Sequence, residues 1–336
     1  MVSFQSKLAA GLARRGIEVC FDLKETPYTA VLVIGGTRQI AGLWNARRQA
    51  IRIVQRLDGM NWVHRVRLQK GRRKTSLRHF LRSEYGNFLL AAIRSCLAQQ
   101  VVYQSHFSKE WWERKYGQTP VPSRVVYNGV DLDAYSPSGP HQRPGERFRL
   151  LLVEGSLMGG YEMGLDTAVQ LAEAIAQRLP GALHPRERLE LMVVGRVSRA
   201  AQVYWEQRAQ VNIHWAGLVS QAQIPALDRS AHLLFSADVN AACPNSVIEA
   251  LACGLPVAAF ATGALPELVT DETGKVVPYG SDPWRLEPPD VDGLARAALD
   301  IFMDQERFRT AARARAEAVF GLDEMVAGYL EAIFNR

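Results

Sequence analysis

The chain has 336 residues, of which 48% are hydrophobic and 22% are charged, so two domains with hydrophobic cores are expected. This composition excludes a disordered chain, a collagen-like repeat and a small disulfide-stapled protein. The four cysteines show no CxxC spacing, and no run of 18 uninterrupted apolar residues or secretory signal pattern is found. We therefore expect a soluble, cytoplasmic protein with reduced thiols.

The charge is distributed unevenly along the chain. Residues 1–130 carry 22 Lys and Arg against 7 Asp and Glu, whereas the remainder carries 18 against 27. Such an asymmetry favours a basic domain that faces an anionic partner, either a membrane surface, a lipid phosphate or a nucleic acid. An ordinary solvated surface remains the alternative.

The first half alternates helix-like and strand-like segments. A helix is predicted over Met1–Gly16, with Phe4, Leu8 and Leu12 on one face, and a second over Phe80–Leu97. Short β-branched runs predict strands at Ala30–Ile34, Ile51–Val54, Val101–Gln104 and Val125–Tyr127. A doubly wound domain normally opens with a strand and a tight glycine turn, and neither precedes the first helix. We expect from this that the first strand is missing and that the chain is a shortened form.

The second half repeats the alternation, which is typical of βαβ units on a parallel sheet. Strands are predicted at Leu150–Val153, Leu189–Val194, Val211–Trp215, Leu233–Ser236 and Val257–Ala261, and helices at Gly164–Arg178, Arg199–Gln210 and Asn245–Cys253. The Pro- and Gly-rich segment Ser136–Arg147 can continue neither element and predicts the domain boundary. Two such sheets would leave a cleft between them, and ligands favour the carboxyl ends of their strands.

The segment Pro244–Val257 (PNSVIEALACGLPV) is the most informative one. Proline suits the first helical position, so the free amides of Asn245, Ser246 and Val247 would point outward with the helix dipole behind them. That arrangement suits a diphosphate. Glu249, among apolar neighbours, could accept hydrogen bonds from vicinal hydroxyls such as those of a ribose; a merely solvated carboxylate is the alternative.

Within this segment, Glu249–Pro256 (EALACGLP) resembles the donor-binding signature of glycosyltransferase family 4, also called group 1, which has the GT-B fold. The resemblance extends to TGALPE at 262–267, YNGVD at 127–131 and QSHFS at 104–108, in the right order. It implies an α/β protein in which two Rossmann-like doubly wound domains face each other across a cleft. The implied domains are an acceptor-side domain over 1–140, a nucleotide-sugar donor-binding domain over 141–320, and a C-terminal helix over 321–336 that crosses back.

The chain departs from the family pattern at three places. The first glutamate of the family's Glu-x7-Glu pair is replaced by Ala241, although the second is retained as Glu249. The arginine and lysine that usually clamp the diphosphate are replaced within Gly155–Gly164 (GSLMGGYEMG), and the N-terminal glycine-rich loop is missing. These losses favour a rival interpretation, a GT-B pseudoenzyme that binds without catalysis; a sugar-nucleotide epimerase or hydrolase is a third.

Further candidate residues follow other strands. Gly155 and Ser156 could wrap a phosphate with their amides, and Arg196 could replace a missing cation; a flexible turn and an exposed arginine are the alternatives. Arg56, Asp58 and Asn61 follow a strand of the first domain and are the candidates for acceptor-side catalytic contacts, although Asp58 could simply cap a turn.

The run Arg65–Arg82 is rich in basic residues, has no acidic one, and could bind anionic lipid head groups, with Arg72, Arg73 and Lys74 at its centre. A mobile, solvated loop is the alternative. No nucleic-acid-binding motif accompanies it.

The function expected from the resemblance is a retaining, metal-independent transfer of a sugar from a nucleotide-sugar donor to an acceptor. The acceptor would be a glycan or a lipid-linked molecule in cell-surface glycan synthesis. No cofactor is expected, because the nucleotide sugar is a substrate. A peripheral contact with the inner face of an anionic membrane is expected from the basic domain.

Overall fold

The structure is a computed structural model that describes residues 2–69, 77–158, 162–180 and 184–334. The chain divides into two compact units. The first unit comprises Met1–Gly129 and Leu322–Arg336, and the second comprises Val130–Gly321. The basic centre of the expected lipid-binding run and residues 159–161 of the glycine-rich loop lie outside the described residues.

The helices are, in chain order, α1 Val2–Ala13, α2 Ile40–Arg48, α3 Val63–Gln69, α4 Leu77–Ala92, α5 His106–Tyr116, α6 Glu162–Arg178, α7 Pro185–Arg188, α8 Arg199–Arg208, α9 Ile224–Ser230, α10 Asn245–Ala252, α11 Leu265–Leu268, α12 Val291–Met303, α13 Gln305–Val319 and α14 Leu322–Phe334. The strands are β1 Ala30–Ile34, β2 Arg52–Leu57, β3 Gln100–Tyr103, β4 Ser123–Val125, β5 Phe148–Ser156, β6 Leu189–Arg196, β7 Asn212–Gly217, β8 Leu233–Ser236, β9 Val257–Phe260 and β10 Gly274–Val277. A π-helical turn over Ile93–Leu97 continues α4, and short 3-10 turns lie at Gln221–Gln223 and Pro283–Arg285.

The change from the first unit to the second falls at Gly129, before the predicted boundary at residue 140. The reason is that the segment after Gly129 packs into the second unit. Tyr135 is only 4% exposed, and the Arg313 guanidinium donates to the carbonyl oxygens of Leu132 and Tyr135. The Arg229 side chain likewise donates to carbonyl oxygens of the Pro-rich segment that was expected to be the linker.

The first unit contains a parallel sheet in the order β1-β2-β3-β4. The predicted amphipathic face of α1 is confirmed, since Phe4, Leu8 and Leu12 are buried in a cluster with residues of α14. A Cβ at Gly11 would lie 2.5 Å from Cγ2 of Val326, so the absence of a side chain there permits the close packing of α1 on α14.

The second unit contains a parallel sheet in the order β10-β9-β8-β5-β6-β7. Read from β7, this is the order of a doubly wound dinucleotide-binding domain, in which the chain winds outward first to one side of its first strand and then to the other. The point where the direction reverses lies between β5 and β8, whose residues Leu150 and Leu233 are paired. The predicted strands and helices of this half are found within a few residues of their expected bounds, and β10 is an additional strand.

Candidate functional site

The carboxyl ends of β5 and β8 form the switch point of the second sheet, which is where doubly wound folds bind ligands. Beyond β5 the chain continues through Leu157 toward α6, and beyond β8 it continues through Ala237 toward α10. A Cβ at Gly164, in the first turn of α6, would lie 3.0 Å from Cβ of Ala237. The start of α6 therefore packs closely against the segment that leaves β8.

The N-terminus of α10 is built as the sequence predicts, with one small difference. Pro244 is the residue before the helix and has an extended backbone (φ −69°, ψ 121°), so α10 begins at Asn245. The amides of Asn245, Ser246 and Val247 belong to the first turn and have no partner within the helix. Within the described part of the chain, no side chain caps this helix start. Three amides and the positive end of the helix dipole are thus available to an anion.

Glu249 lies one turn further along α10 and is 9% exposed. Its charge acts on a buried carboxyl group on α9: desolvation, and then repulsion from Glu249, raise the pKa of Asp228 well above its usual range. Burial, and then the charge of Glu249, also raise the pKa of the Tyr135 hydroxyl. Glu249 is therefore a semi-buried carboxylate whose charge acts on a second, buried acidic group.

The predicted phosphate-side residues lie at the ends of β5 and β6. Gly155, Ser156 and Arg196 are all exposed. The carbonyl oxygen of Arg196 accepts a hydrogen bond from the backbone amide of Leu157 at 2.9 Å. Ser156 and Arg196 are register partners in the sheet, so the structure brings these candidates together. The following residues 159–161 are outside the described part of the chain.

A pair of carboxylates at the switch point was not predicted by any sequence motif. Glu154 lies near the end of β5 and Asp238 lies two residues beyond β8, and they are close enough for their charges to interact. Burial, and then the charge of Asp238, raise the pKa of Glu154 well above its usual range, while burial raises the pKa of Asp238. No simple motif links residues so far apart in the chain, so only the pairing of β5 with β8 reveals them.

Two buried polar groups lie on the same segment as Asp238. Ser236 is 4% exposed and Asn240 is 5% exposed, and among the described residues neither the Ser236 hydroxyl nor the Asn240 Nδ2 has a hydrogen-bond partner. Asn240 has a left-handed backbone (φ 57°), and its backbone N–H donates a hydrogen bond to Oγ1 of Thr262. The end of β8 and the segment that follows it therefore offer polar groups without a hydrogen-bond partner among the described residues, in the same stretch as Asp238.

Gly263 explains why the TGALPE motif accompanies this segment. Its φ of +59° lies in the left-handed region, and a Cβ there would lie 2.5 Å from both the amide nitrogen and the carbonyl oxygen of Ala241. Only glycine allows the two backbones to approach so closely. The motif TGALPE therefore packs its backbone directly against that of Ala241, the residue that replaces the family's first glutamate.

In the first unit, the acceptor-side candidates have internal contacts. Arg56 is 4% exposed, donates to Oδ1 of Asn128 at 3.0 Å and lies 3.8 Å from the ring centroid of Phe4. Asp58 is partly buried at the end of β2; desolvation raises its pKa, and the charge of Arg56 opposes this rise. The carbonyl oxygen of Asp58 accepts a hydrogen bond from Nε1 of Trp112 at 2.7 Å. Arg56 lies within β2 rather than after it, because the strand extends to Leu57, and its charge acts on Asp58 just beyond the end of the strand.

Asn61, the third candidate, is exposed but anchored. Its amide nitrogen donates to Oδ1 of Asn87 at 3.0 Å, and Nδ2 of Asn87 donates to the carbonyl oxygen of Asn61 at 2.9 Å. Nearby, Glu84 accepts hydrogen bonds from Arg65 at 2.5 and 2.7 Å and lies 2.7 Å from Nε2 of His64. These bonds lower the pKa of Glu84 to about 2. The end of β2 is therefore tied to α4.

The described residues contain neither a metal-binding cluster nor a membrane-spanning helix. No group of three His, Cys, Asp or Glu side chains among them is arranged to hold a metal ion. No helix in the same part of the chain is long and apolar enough to cross a bilayer.

Known proteins resemble the chain in both sequence and structure. Residues 150–304 match the family model described as "Glycosyl transferases group 1". D-inositol 3-phosphate glycosyltransferase of Xylanimonas cellulosilytica is 33% identical over 237 residues, which are 65% of this chain and 52% of that protein. D-inositol 3-phosphate glycosyltransferase of Geodermatophilus obscurus is 31% identical over 232 residues, which are 65% of this chain and 49% of that protein. The chain spans about half the length of the curated relatives it matches.

Solved structures match across nearly the whole chain. Sucrose-phosphate synthase from Thermosynechococcus elongatus has a TM-score of 0.66 at 16% identity, covering 97% of this chain and 77% of that one. WaaG, a glycosyltransferase involved in lipopolysaccharide biosynthesis, has a TM-score of 0.65 at 16% identity, covering 99% and 96%. Anabaena HepE in complex with UDP and glucose has a TM-score of 0.61 at 19% identity, covering 91% and 78%.

These likenesses confirm the predicted fold class, GT-B, with two Rossmann-like parallel-sheet α/β domains. The match to the family model covers most of the second unit, including the switch point, α10 and Glu249. Over residues 150–304, the second unit thus resembles the group 1 glycosyltransferases in sequence.

Proposed function

We propose that the protein is a family 4 glycosyltransferase that transfers a sugar from a nucleotide-sugar donor bound to its second unit. The observation that carries this proposal is the start of α10, where three uncapped amides are followed one turn later by the semi-buried Glu249. The amides of Asn245, Ser246 and Val247 would bind the diphosphate, and the Glu249 carboxylate would accept hydrogen bonds from the ribose hydroxyls. Gly155, Ser156 and Arg196 would complete the phosphate site.

The donor sugar needs partners other than the family's first glutamate, because Ala241 carries no polar group. Glu154 and Asp238 lie at the same switch point as the proposed diphosphate site and can accept hydrogen bonds from sugar hydroxyls. We assign them that role. Each carboxylate has two oxygens that can accept hydrogen bonds, so the pair offers several acceptors to the sugar hydroxyls.

The reaction proposed is a retaining transfer without a metal ion, as the family resemblance implies. The acceptor hydroxyl attacks the anomeric carbon from the face that the diphosphate leaves, and a donor phosphate oxygen takes the proton. Negative charge then grows on the diphosphate, where the α10 amides and helix dipole stabilise it in the transition state. Arg56, Asp58 and Asn61 of the first unit are proposed to contact the acceptor.

The acceptor is proposed to be a glycan or lipid-linked molecule used in cell-surface glycan synthesis, reached by peripheral contact with the inner face of an anionic membrane. The strongly basic first unit supports this part, since each basic residue near such a surface adds about 1 kcal/mol of attraction. The names of the relatives, which are glycosyltransferases of inositol 3-phosphate, are compatible with an anionic acceptor.

Incubation with a panel of nucleotide sugars, with release of free nucleotide as the readout, tests the proposal. Turnover of one donor, unaffected by a chelator, is the expected result. The rival function is a GT-B pseudoenzyme, which the missing first glutamate favours. Nucleotide binding without turnover of any donor, in the presence of anionic vesicles and acceptor lipids, would favour that rival, and absence of nucleotide binding would refute the donor site.

A further inference from the structure

The helix α4 carries a row of exposed apolar side chains. Leu77 is 73% exposed, Leu81 58%, Tyr85 56% and Phe88 65%. Their spacing of four, four and three residues places them on one side of the helix, within roughly a quarter of its circumference. We call these four residues the α4 stripe. The buried residues of α4, such as Leu90, face the interior of the first unit instead.

The surroundings of the α4 stripe are positively charged. Arg78 and Arg82 are exposed and lie one residue beyond Leu77 and Leu81, on the border of the stripe. The acidic side chain of α4, that of Glu84, accepts hydrogen bonds from Arg65, which neutralises its charge. The stripe therefore combines an apolar strip with a basic edge.

This combination discriminates between possible occupants. A second copy of the chain would bring the same basic border against itself and cost repulsion, since residues 1–130 carry 22 basic against 7 acidic residues. A nucleic acid would satisfy the arginines but leave four apolar side chains in water. An anionic bilayer satisfies both, because an interfacial helix buries its apolar side at the boundary of head groups and acyl chains while its cations contact lipid phosphates.

We propose that α4 lies in the surface of an anionic bilayer, with the α4 stripe inserted below the head groups and Arg78 and Arg82 at the lipid phosphates. This inference rests on the membrane part of the proposed function and identifies the surface that makes the contact. It does not depend on the chemistry at α10, since vesicle binding can be measured without turnover. It also predicts that charge attraction alone is insufficient for the full affinity.

The test compares two double variants that leave the net charge unchanged. Leu81→Ala with Phe88→Ala removes half of the α4 stripe, and alanine favours the helix, so the fold is retained. Leu218→Ala with Met303→Ala is the matched control, because these second-unit side chains are 61% and 72% exposed. Sedimentation is measured with vesicles of phosphatidylcholine and phosphatidylglycerol. From the transfer of two large apolar side chains, we expect the stripe variant to bind more weakly by about tenfold or more, and the control to match the wild type within about twofold.

Three results would overturn the inference. Wild-type protein that does not bind anionic vesicles at low salt excludes the bilayer as occupant. Equal binding by the stripe variant shows that the contact is electrostatic alone. A wild-type dimer in solution that the stripe variant abolishes, with vesicle binding unchanged, assigns the stripe to a second copy. UDP affinity, measured on the same variants, separates these failures from a failure of the donor site, because a missing donor site abolishes UDP binding in every variant equally.

Discussion

Replacing Glu249 with glutamine tests the donor site most directly. Glu249→Gln keeps the shape of the side chain and removes its charge, so the position loses a strong acceptor for ribose hydroxyls. A hydrogen bond to a charged group contributes about 1.5–3 kcal/mol, which corresponds to a decrease in nucleotide affinity of about 10- to 150-fold.

The same substitution should not weaken the fold. Asp228 is 1% exposed, and repulsion from Glu249 contributes to its raised pKa. Removing the Glu249 charge relieves this repulsion, so the pKa of Asp228 should fall toward its ordinary value. Each pKa unit corresponds to about 1.4 kcal/mol, and we therefore expect the free energy of unfolding to stay constant or rise. Nucleotide affinity should therefore decrease while the free energy of unfolding stays constant or rises, which is typical of a residue that serves binding rather than folding.

Calorimetric titration with UDP and urea unfolding are the two measurements. Glu146→Gln is the control, because it makes the same change of charge at an exposed glutamate of the second unit and should leave both quantities unchanged. The reasoning is refuted if Glu249→Gln binds UDP within about threefold of wild type while remaining folded. It is also refuted if the loss of affinity is accompanied by an equal loss of stability, since Glu249 would then be structural.

Asp238→Asn should raise the KM for the nucleotide sugar about tenfold and leave UDP affinity within about twofold, because the carboxylate is assigned to the sugar; an equal loss for UDP would contradict that assignment. Gly195→Ala should lower the free energy of unfolding, measured in urea, by about 2 kcal/mol or more. Its φ is +138°, and its Cβ would lie 2.0 Å from the carbonyl oxygen of Glu154. Gly155→Ala, where a Cβ meets no atom within 4 Å, should be neutral, and equal losses would argue against the steric cause. Burial, helped by nearby arginines, lowers the pKa of His232 to about 3 from an ordinary value of 6.5. Between these two pH values, the unfolded chain therefore binds a proton at this histidine that the folded chain does not. As the pH is lowered from about 6.5 to about 3, the free energy of unfolding should decrease by up to about 1.4 kcal/mol per pH unit. His232→Asn should flatten this slope in urea unfolding measured across that range, and an unchanged slope would exclude His232 as its source.

Local sequence patterns predict those elements whose signal is contained in one short segment. The strand Leu233–Ser236 has the predicted bounds, and α10 begins one residue after a proline that cannot donate a hydrogen bond. The strand β10 has no such signal, because only its last two residues, Val276 and Val277, are apolar and β-branched. It forms because its backbone pairs with β9, a long-range contact that outweighs the weak local preference.

In the candidate site, too, the local features could be predicted from the sequence and the long-range contacts could not. The amides of α10 could be predicted because a helix start is a local structure, whereas Glu154 and Asp238 meet only when β5 and β8 pair. Arg56 illustrates a limit of another kind. Sequence analysis places it after the strand, whereas β2 extends to Leu57 and includes it. Its contact with the ring of Phe4 in α1 depends on packing that no local pattern encodes.

The two edges of the first sheet differ in how they protect themselves from other strands. β4 is a three-residue edge strand whose Arg124 is paired with Glu331, and a short, charged edge of this kind discourages further pairing. β1 has five apolar residues, Ala30–Ile34, no charge, and hydrogen bonds to β2 alone among the described strands. Its outer row of backbone amides and carbonyls is a template for any extended segment that arrives, including β1 of another molecule. Concentrated preparations of this protein should therefore associate through β1 first, and a single lysine on that strand should slow the association.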